Sequence, residues 1–224
     1  MPRIGRAVAV GFPHHVVQRG NNREKVFFSE EDRDKYLELL KKYSEKWEAP
    51  VIAYCLMSNH VHLLTRPRHD LSLYKMMQGL TLCYTQYINR RYNRTGRLWE
   101  SRYHSCIVDK ANYLWAVARY IEQNPVRAKI VKTAERYQYS SARAHITGKR
   151  DEMLGEELLK EGQRRDYREM LRAVPSEEEM QSIRYSTKTG RPFGRRAFIE
   201  TMERKLQTSF ILRSPGRPKK GKGK

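Results

Sequence analysis

Acidic residues are scarce in this chain. Only 25 Asp and Glu stand against 45 Lys and Arg, a formal net charge of +20 over 224 residues. Such an excess makes the folded state repel itself unless a polyanion is the usual partner. Cysteine is scarcer still, with Cys55, Cys83 and Cys106 alone. An odd count with no CxxC spacing excludes a zinc ribbon and a disulfide framework. No apolar run approaches the roughly 18 to 20 residues that span a bilayer. No basic amphipathic stretch presents Trp or Phe on its other face, which sets aside an anionic membrane surface. The apolar patch in MPRIGRAVAVGFPHH is too short for a signal sequence. These absences leave nucleic acid as the expected partner, in a reducing, cytoplasmic setting.

What is present is a legible alternation of periods. Residues 8–19 read as an opening strand, with Gly20-Asn21-Asn22 as its turn. Ser29 followed three residues later by Asp32 forms a capping-box pattern. It opens a helix with Tyr36, Leu39, Leu40, Tyr43 and Trp47 at helical spacing, ended by Pro50. VIAYCLMSNHVHLLTRP holds two strands broken at Ser58-Asn59. A second helix is predicted from about Asp70 to Arg91, with Leu73, Met77, Leu80, Tyr84 and Tyr87 on one face. The basic loop RRYNRTGRLWESRYH leads into a strand near Ser105 to Val108. A third helix runs from about Asp109 to Asn124, where Pro125 is expected to end it. The order βαββαβ with one further helix predicts an α+β, ferredoxin-like antiparallel sheet. Beyond residue 134 the chain is polar and helical. Its last twelve residues, RSPGRPKKGKGK, carry six basic side chains, Lys219 and Lys220 among them. They read as a disordered arm adding salt-dependent affinity, or as a solubilising tail.

His60-Val61-His62 places two imidazoles on one face of an extended strand, because side chains alternate with period two. Two neutral imidazoles so placed form a natural bidentate metal site, and equally could be two ordinary surface histidines. The doublet His14-His15 carries no such signal, since adjacent residues face opposite sides. On the third helix, Leu114, Val117, Ala118 and Ile121 form the buried stripe. Tyr120 and Asn124 lie about 40° apart on its flank, with Glu122 nearly opposite.

The string MSNHVHLL at Met57 to Leu64 resembles the HUH single-strand endonucleases of the one-tyrosine type, and within them the REP-associated tyrosine transposases, relatives of the IS200/IS605 transposases. The resemblance extends over Gly96, Trp99, Arg102 and Tyr103, through ARYIEQNPVRA at Ala118 to Ala128, and into TGRPFG at Thr189 to Gly194. It implies a transposase that cuts and rejoins single-stranded DNA at hairpin sequences through a 5′-phosphotyrosine. It implies Tyr120 as nucleophile, and His60, His62 and the Asn124 amide oxygen as ligands of Mg²⁺ or Mn²⁺. Tyr74 and Gln78 on the second helix share the Tyr-x-x-x-Gln spacing, but that helix follows the histidine strand directly, whereas the family's tyrosine helix comes after the fourth strand. The order of elements and the composition divide the chain into a first part at 1–133, a helical basic extension at 134–212 and the tail at 213–224; the resemblance makes 1–133 a nuclease-transposase domain and implies a monomer or homodimer.

For DNA contact the candidates are Arg90, Arg91, Arg94, Arg97 and Arg102, interleaved with Tyr92, Trp99 and Tyr103, together with Arg19, Asn21 and Asn22. Trp99 and Tyr103 could instead be core residues. The rival reading from another class is a catalytically inactive nucleic-acid-binding regulator on the same fold. A relaxase or replication initiator would need more chain, and a metal hydrolase would leave no covalent adduct.

Overall fold

The computed structural model describes residues 7–110 and 112–210. Its strands are β1 (His14–Arg19), β2 (Val51–Met57), β3 (His60–Thr65) and β4 (His104–Ile107). Helix α1 (Glu30–Lys46) joins β1 to β2, and α2 (Ser72–Arg91) joins β3 to β4. After β4 come α3 (Asn112–Glu122), the single turn α4 (Asn124–Arg127), α5 (Ala142–Thr147), α6 (Arg164–Arg172), α7 (Glu177–Thr189) and α8 (Arg196–Leu206). The strands form one antiparallel sheet in the order β2-β3-β1-β4. This is the ferredoxin-like arrangement that the alternation of periods predicts.

Local chemistry explains the elements. Asp32, fully buried, accepts hydrogen bonds from the backbone N–H groups of Phe28 (2.8 Å) and Ser29 (3.0 Å), satisfying donors that the start of α1 would otherwise orphan. It also accepts from Tyr92 Oη at 2.9 Å, which ties the start of α1 to the end of α2. The two-residue turn Ser58-Asn59 between β2 and β3 is gripped by the loop after β1. Gly20 N donates to Asn59 O at 2.8 Å and Val26 N to Ser58 O at 2.9 Å. A Cβ on Gly20 would lie 2.3 Å from the Glu24 carbonyl oxygen, so only glycine fits there.

Two boundaries differ from expectation. β1 begins at His14 rather than residue 8, because Gly11 takes a left-handed φ of 78° and Pro13 offers no N–H to a ladder. Helix α3 stops at Glu122, before Pro125 is reached, and helical structure resumes at once as α4. Pro125 therefore opens a turn instead of closing one, since the first turn of a helix leaves its N–H groups unused anyway.

The sheet is covered on both faces. α1 and α2 pack Tyr36, Leu73, Met77, Leu80 and Tyr84 against Val16, Leu56, Val61 and Leu63. The opposite face, with Cys55, Leu64 and Cys106, is covered by α3 and by the helices that follow. The extension beyond residue 134 also closes the sheet's edges. Leu56 N donates to Tyr139 O (2.9 Å) and Ser141 N to Tyr54 O (3.1 Å) along β2, while Phe193 N donates to Ile107 O (2.8 Å) beside β4. Unpaired edge groups are thereby satisfied within the chain. The basic tail at 213–224, with Lys219 and Lys220, lies outside the described residues. Among the described residues no helix is long and apolar enough to cross a membrane.

Candidate active site

The alternation along β3 sends Val61 and Leu63 into the α1/α2 core and turns His60 and His62 toward α3. The two imidazoles lie 5.0 Å apart between ring centroids. His60 Nδ1 is 2.7 Å from Asn59 Oδ1, and the Asn59 amide nitrogen donates to Arg23 O at 2.9 Å. That second bond fixes which way the Asn59 amide points, so His60 Nδ1 must carry the proton and Nε2 keeps its lone pair. Burial, with Arg19 and Arg127 nearby, lowers the His60 pKa to about 4. Burial first, then His60, His15 and the same arginines, pushes His62 well below the usual imidazole range. Both rings are therefore neutral at pH 7, the form that binds metal.

Helix α3 sets Tyr120 beside them. Its ring stands edge-on to His62, with centroids 5.7 Å apart, and edge-on to His15 at 5.8 Å. Asn124 uses its amide nitrogen to cap the helix end, donating to Tyr120 O (3.0 Å) and Ile121 O (3.1 Å), so its carbonyl oxygen is the atom left for a cation. Arg127 lies over the Tyr120 ring, its Cζ 4.4 Å from the centroid, and donates to Tyr120 O at 2.8 Å. Its Nη1 is buried and finds no hydrogen-bond partner among the described residues.

The far side of α3 is fastened to the extension. Glu122 is fully buried and accepts from Ser141 Oγ (2.5 Å), His145 Nδ1 (2.6 Å) and Tyr167 Oη (2.9 Å). Arg119 pairs with Glu179, and Gln123 Nε2 donates to Leu171 O (2.6 Å) and Ala173 O (2.9 Å). Glu122 is thus committed elsewhere. Among the described residues no three His, Cys, Asp or Glu converge as a metal set. A cation beside the imidazoles must take its remaining donors from amide oxygen, phosphate or water. Tyr74, 45% exposed, sits on α2, which covers the sheet face away from the imidazoles.

The candidate DNA-contacting residues divide. Arg19 is exposed and pairs in register with His60, so the two share a face at one end of the sheet. The basic loop after α2 is zipped onto that same end: Asn21 N donates to Leu98 O (2.9 Å) and Glu100 N to Arg19 O (3.0 Å). Arg97 and Arg102 are exposed there, and Arg94 covers the Phe28 ring at 5.3 Å. Trp99 and Tyr103 instead pack into the core at 8% and 7% exposure, Trp99 against Tyr36 and Tyr84. Their ring faces serve packing rather than bases in this arrangement.

Three residues at the site escaped the sequence reading. His15, half of a doublet that carries no signal in the sequence, stacks on His62 with centroids 5.3 Å apart and bonds to it. Its diagonal placement depends on strand register, which no local pattern reveals. Thr187, on α7, reaches His15 from the extension. Arg127 lies within the matching string, three residues past Asn124, where the sequence predicts that Pro125 ends the helix although helical structure continues.

The four-stranded α+β fold has a counterpart among solved structures. The chain is similar to the "Structure of the REP associates tyrosine transposase bound to a REP hairpin", with a TM-score of 0.56 and 15% identity over 72% of this chain and 96% of that one. It also matches a putative transposase from Deinococcus radiodurans R1 at a TM-score of 0.37 and 18% identity, over 58% of this chain and 92% of that one. No curated protein matches it. The model of the family described as "Transposase IS200 like" matches residues 10–124, from just before β1 to the start of α4. The chain belongs to the IS200-like transposase family.

Proposed function

We propose that the chain cleaves and rejoins single-stranded DNA at hairpin sequences, with Tyr120 as nucleophile and a divalent ion, Mg²⁺ or Mn²⁺, held by His60, His62 and Asn124. The observation that carries this reading is the Tyr120 ring standing edge-on to His62, itself beside His60, where both imidazoles are neutral. Family membership supports the strand-cutting chemistry. The hairpin bound in the similar structure supports the class of substrate. When bound, the divalent ion supplies electrostatic stabilisation of charge growing on the scissile phosphate.

The chain's own groups do the rest. The phenol oxygen of Tyr120 forms a bond to phosphorus while the bond from phosphorus to the 3′-oxygen breaks. The phenol proton leaves, the departing 3′-oxygen gains one, and the products are a 5′-phosphotyrosine and a free 3′-OH. Attack by another 3′-OH reverses the exchange, so rejoining needs no nucleotide cofactor. Arg127 over the ring favours negative charge on the phenol oxygen as its proton departs. Arg19, Asn21, Arg94, Arg97 and Arg102 meet backbone phosphates at the His60 end of the sheet. Residues 1–133 carry the reacting groups and 134–212 brace them.

The test is incubation of the full chain with single-stranded hairpin DNA and Mn²⁺, followed by a denaturing gel. A covalent protein–DNA band is expected, lost in Tyr120→Phe with DNA binding retained and kept in Tyr74→Phe. A regulator that only binds would give no band with any variant, and loss in Tyr74→Phe alone would assign the nucleophile to α2.

A further inference from the structure

The hydrogen bonds behind the imidazoles run further than the metal site requires. His62 Nδ1 lies 3.0 Å from His15 Nε2. His15 Nδ1 lies 2.8 Å from Thr187 Oγ1, and Thr187 Oγ1 lies 2.8 Å from Ile183 O, one turn earlier on α7. All of these groups are buried: His15 at 1%, His62 at 4% and Thr187 at 4% exposure. Only one placement of hydrogens satisfies every short contact. The Thr187 hydroxyl has a single proton, and Ile183 O can only accept, so that proton lies between the two oxygens. The reverse placement would leave two oxygens 2.8 Å apart with no hydrogen between them. Thr187 Oγ1 is then an acceptor toward His15, which makes His15 Nδ1 the donor and His15 Nε2 the bare nitrogen. That bare nitrogen must accept from His62 Nδ1–H. Cys106 Sγ, 3.4 Å from Thr187 Oγ1, fits the same direction as a second donor to that oxygen.

We infer that Thr187 and His15 are positioning residues that lock His62 in the Nδ1–H tautomer and so present its Nε2 lone pair to a divalent cation. The relay starts in the C-terminal extension and ends at a ligand on the central sheet, and it rests on the reading that His60 and His62 hold a metal. The Asn59 amide does for His60 what the relay does for His62, which leaves both Nε2 atoms bare. Groups that orient a metal-binding imidazole through its other nitrogen commonly contribute a factor of about 10–100 in metal affinity.

Thr187→Val keeps the shape of the side chain and removes the acceptor. His15 Nδ1–H then has nowhere to donate in a buried site, and His15 is expected to move its proton to Nε2. It would donate to His62 Nδ1, and the His62 proton would shift to Nε2, the nitrogen the cation needs. Long-range proton–nitrogen spectra of the metal-free full chain, labelled at histidine, should show His15 and His62 as Nδ1–H tautomers. In Thr187→Val both should convert to Nε2–H. Calorimetric titration with Mn²⁺ should show affinity falling about 10- to 100-fold in the same variant, and Thr187→Ser, which restores the hydroxyl, should recover both readouts. A thermal melt of each variant checks that the fold is retained. An Nε2–H His62 in the unaltered chain, or a Thr187→Val variant with unchanged tautomers and Mn²⁺ affinity, would overturn the inference alone. If the unaltered chain takes up no Mn²⁺ at all, the metal site and this inference fall together.

Discussion

Half-buried Arg127 lies over the Tyr120 ring with its Nη1 shut off from solvent, and burial lowers its pKa from the usual arginine range. A partly buried cation with no ion pair among the described residues is costly unless something negative comes to it. On the proposed function, that something is the phenol oxygen in transit to phosphorus, or the phosphate itself. Arg127→Met should slow single-turnover cleavage about 10- to 100-fold, roughly 1.4–2.7 kcal/mol of transition-state stabilisation, while hairpin binding stays within about threefold. Equal loss of binding and cleavage would make Arg127 a simple phosphate contact. Residues of this kind mark the limit of what the sequence discloses. His60, His62, Tyr120 and Asn124 are legible because each belongs to one element whose period places it, and because the strings around them resemble a family. His15 and Thr187 are not, since their partnership joins positions 172 residues apart through strand register and helix docking. Trp99 and Tyr103 show the opposite failure: an aromatic between arginines suggests a base-stacking ring, but only the packing of the loop onto the end of β1 decides that it points inward.

Helix α3 divides its labour by face. Tyr120 looks toward the imidazoles, while Arg119, Glu122 and Gln123 are fastened to α5, α6, α7 and the chain after α6. The side chain of Tyr120 gains precision from such anchoring, because a rigid element holds its angle better than a loop. The hairpin of β2 and β3 is braced differently, by the turn after β1 closing over Ser58 and Asn59. Gly20→Ala would drive a methyl into the Glu24 carbonyl and Val26. It should destabilise the chain by about 1–3 kcal/mol, and it should loosen Asn59 from His60. The denaturation midpoint and the Mn²⁺ affinity should therefore fall together, whereas a drop in stability alone would uncouple turn from ligand. Element identity was written in the periods and caps, as at Ser29 and Asp32. Element boundaries were not. Gly11 with Pro13 shortens β1, and Pro125 begins a turn it was expected to prevent, because a proline forbids a helix only where its N–H is wanted.

Across the whole molecule, buried neutral histidines make the fold sensitive to acid. His14, which accepts from Ala9 N through Nε2 and donates to Phe12 O through Nδ1, has its pKa lowered by burial to about 4, and burial lowers His15 to about 3. An unfolded histidine titrates near 6.5, so between that value and the folded ones the unfolded chain binds more protons. Stability is then fully present above pH 6.5 and is lost as pH falls toward 3–4. Between pH 7 and 5 each of these two residues should cost about 2 kcal/mol, read from urea midpoints. His14→Gln, which can donate and accept but does not titrate, should flatten the slope by its share. A slope unchanged in that variant would place the sensitivity elsewhere.

Closure of the sheet by residues after position 134 carries a consequence for the order of events in the cell. Synthesis runs from β1 onward, and a growing chain that has reached only α4 still has both outer strands open and the imidazoles without Thr187 behind them. On the proposed function, competence to break a DNA strand would then arrive late on the ribosome, after Tyr120 and both imidazoles have long since emerged. If the proposed function holds, a prematurely terminated fragment carrying Tyr120 and both imidazoles would be a poor cutter.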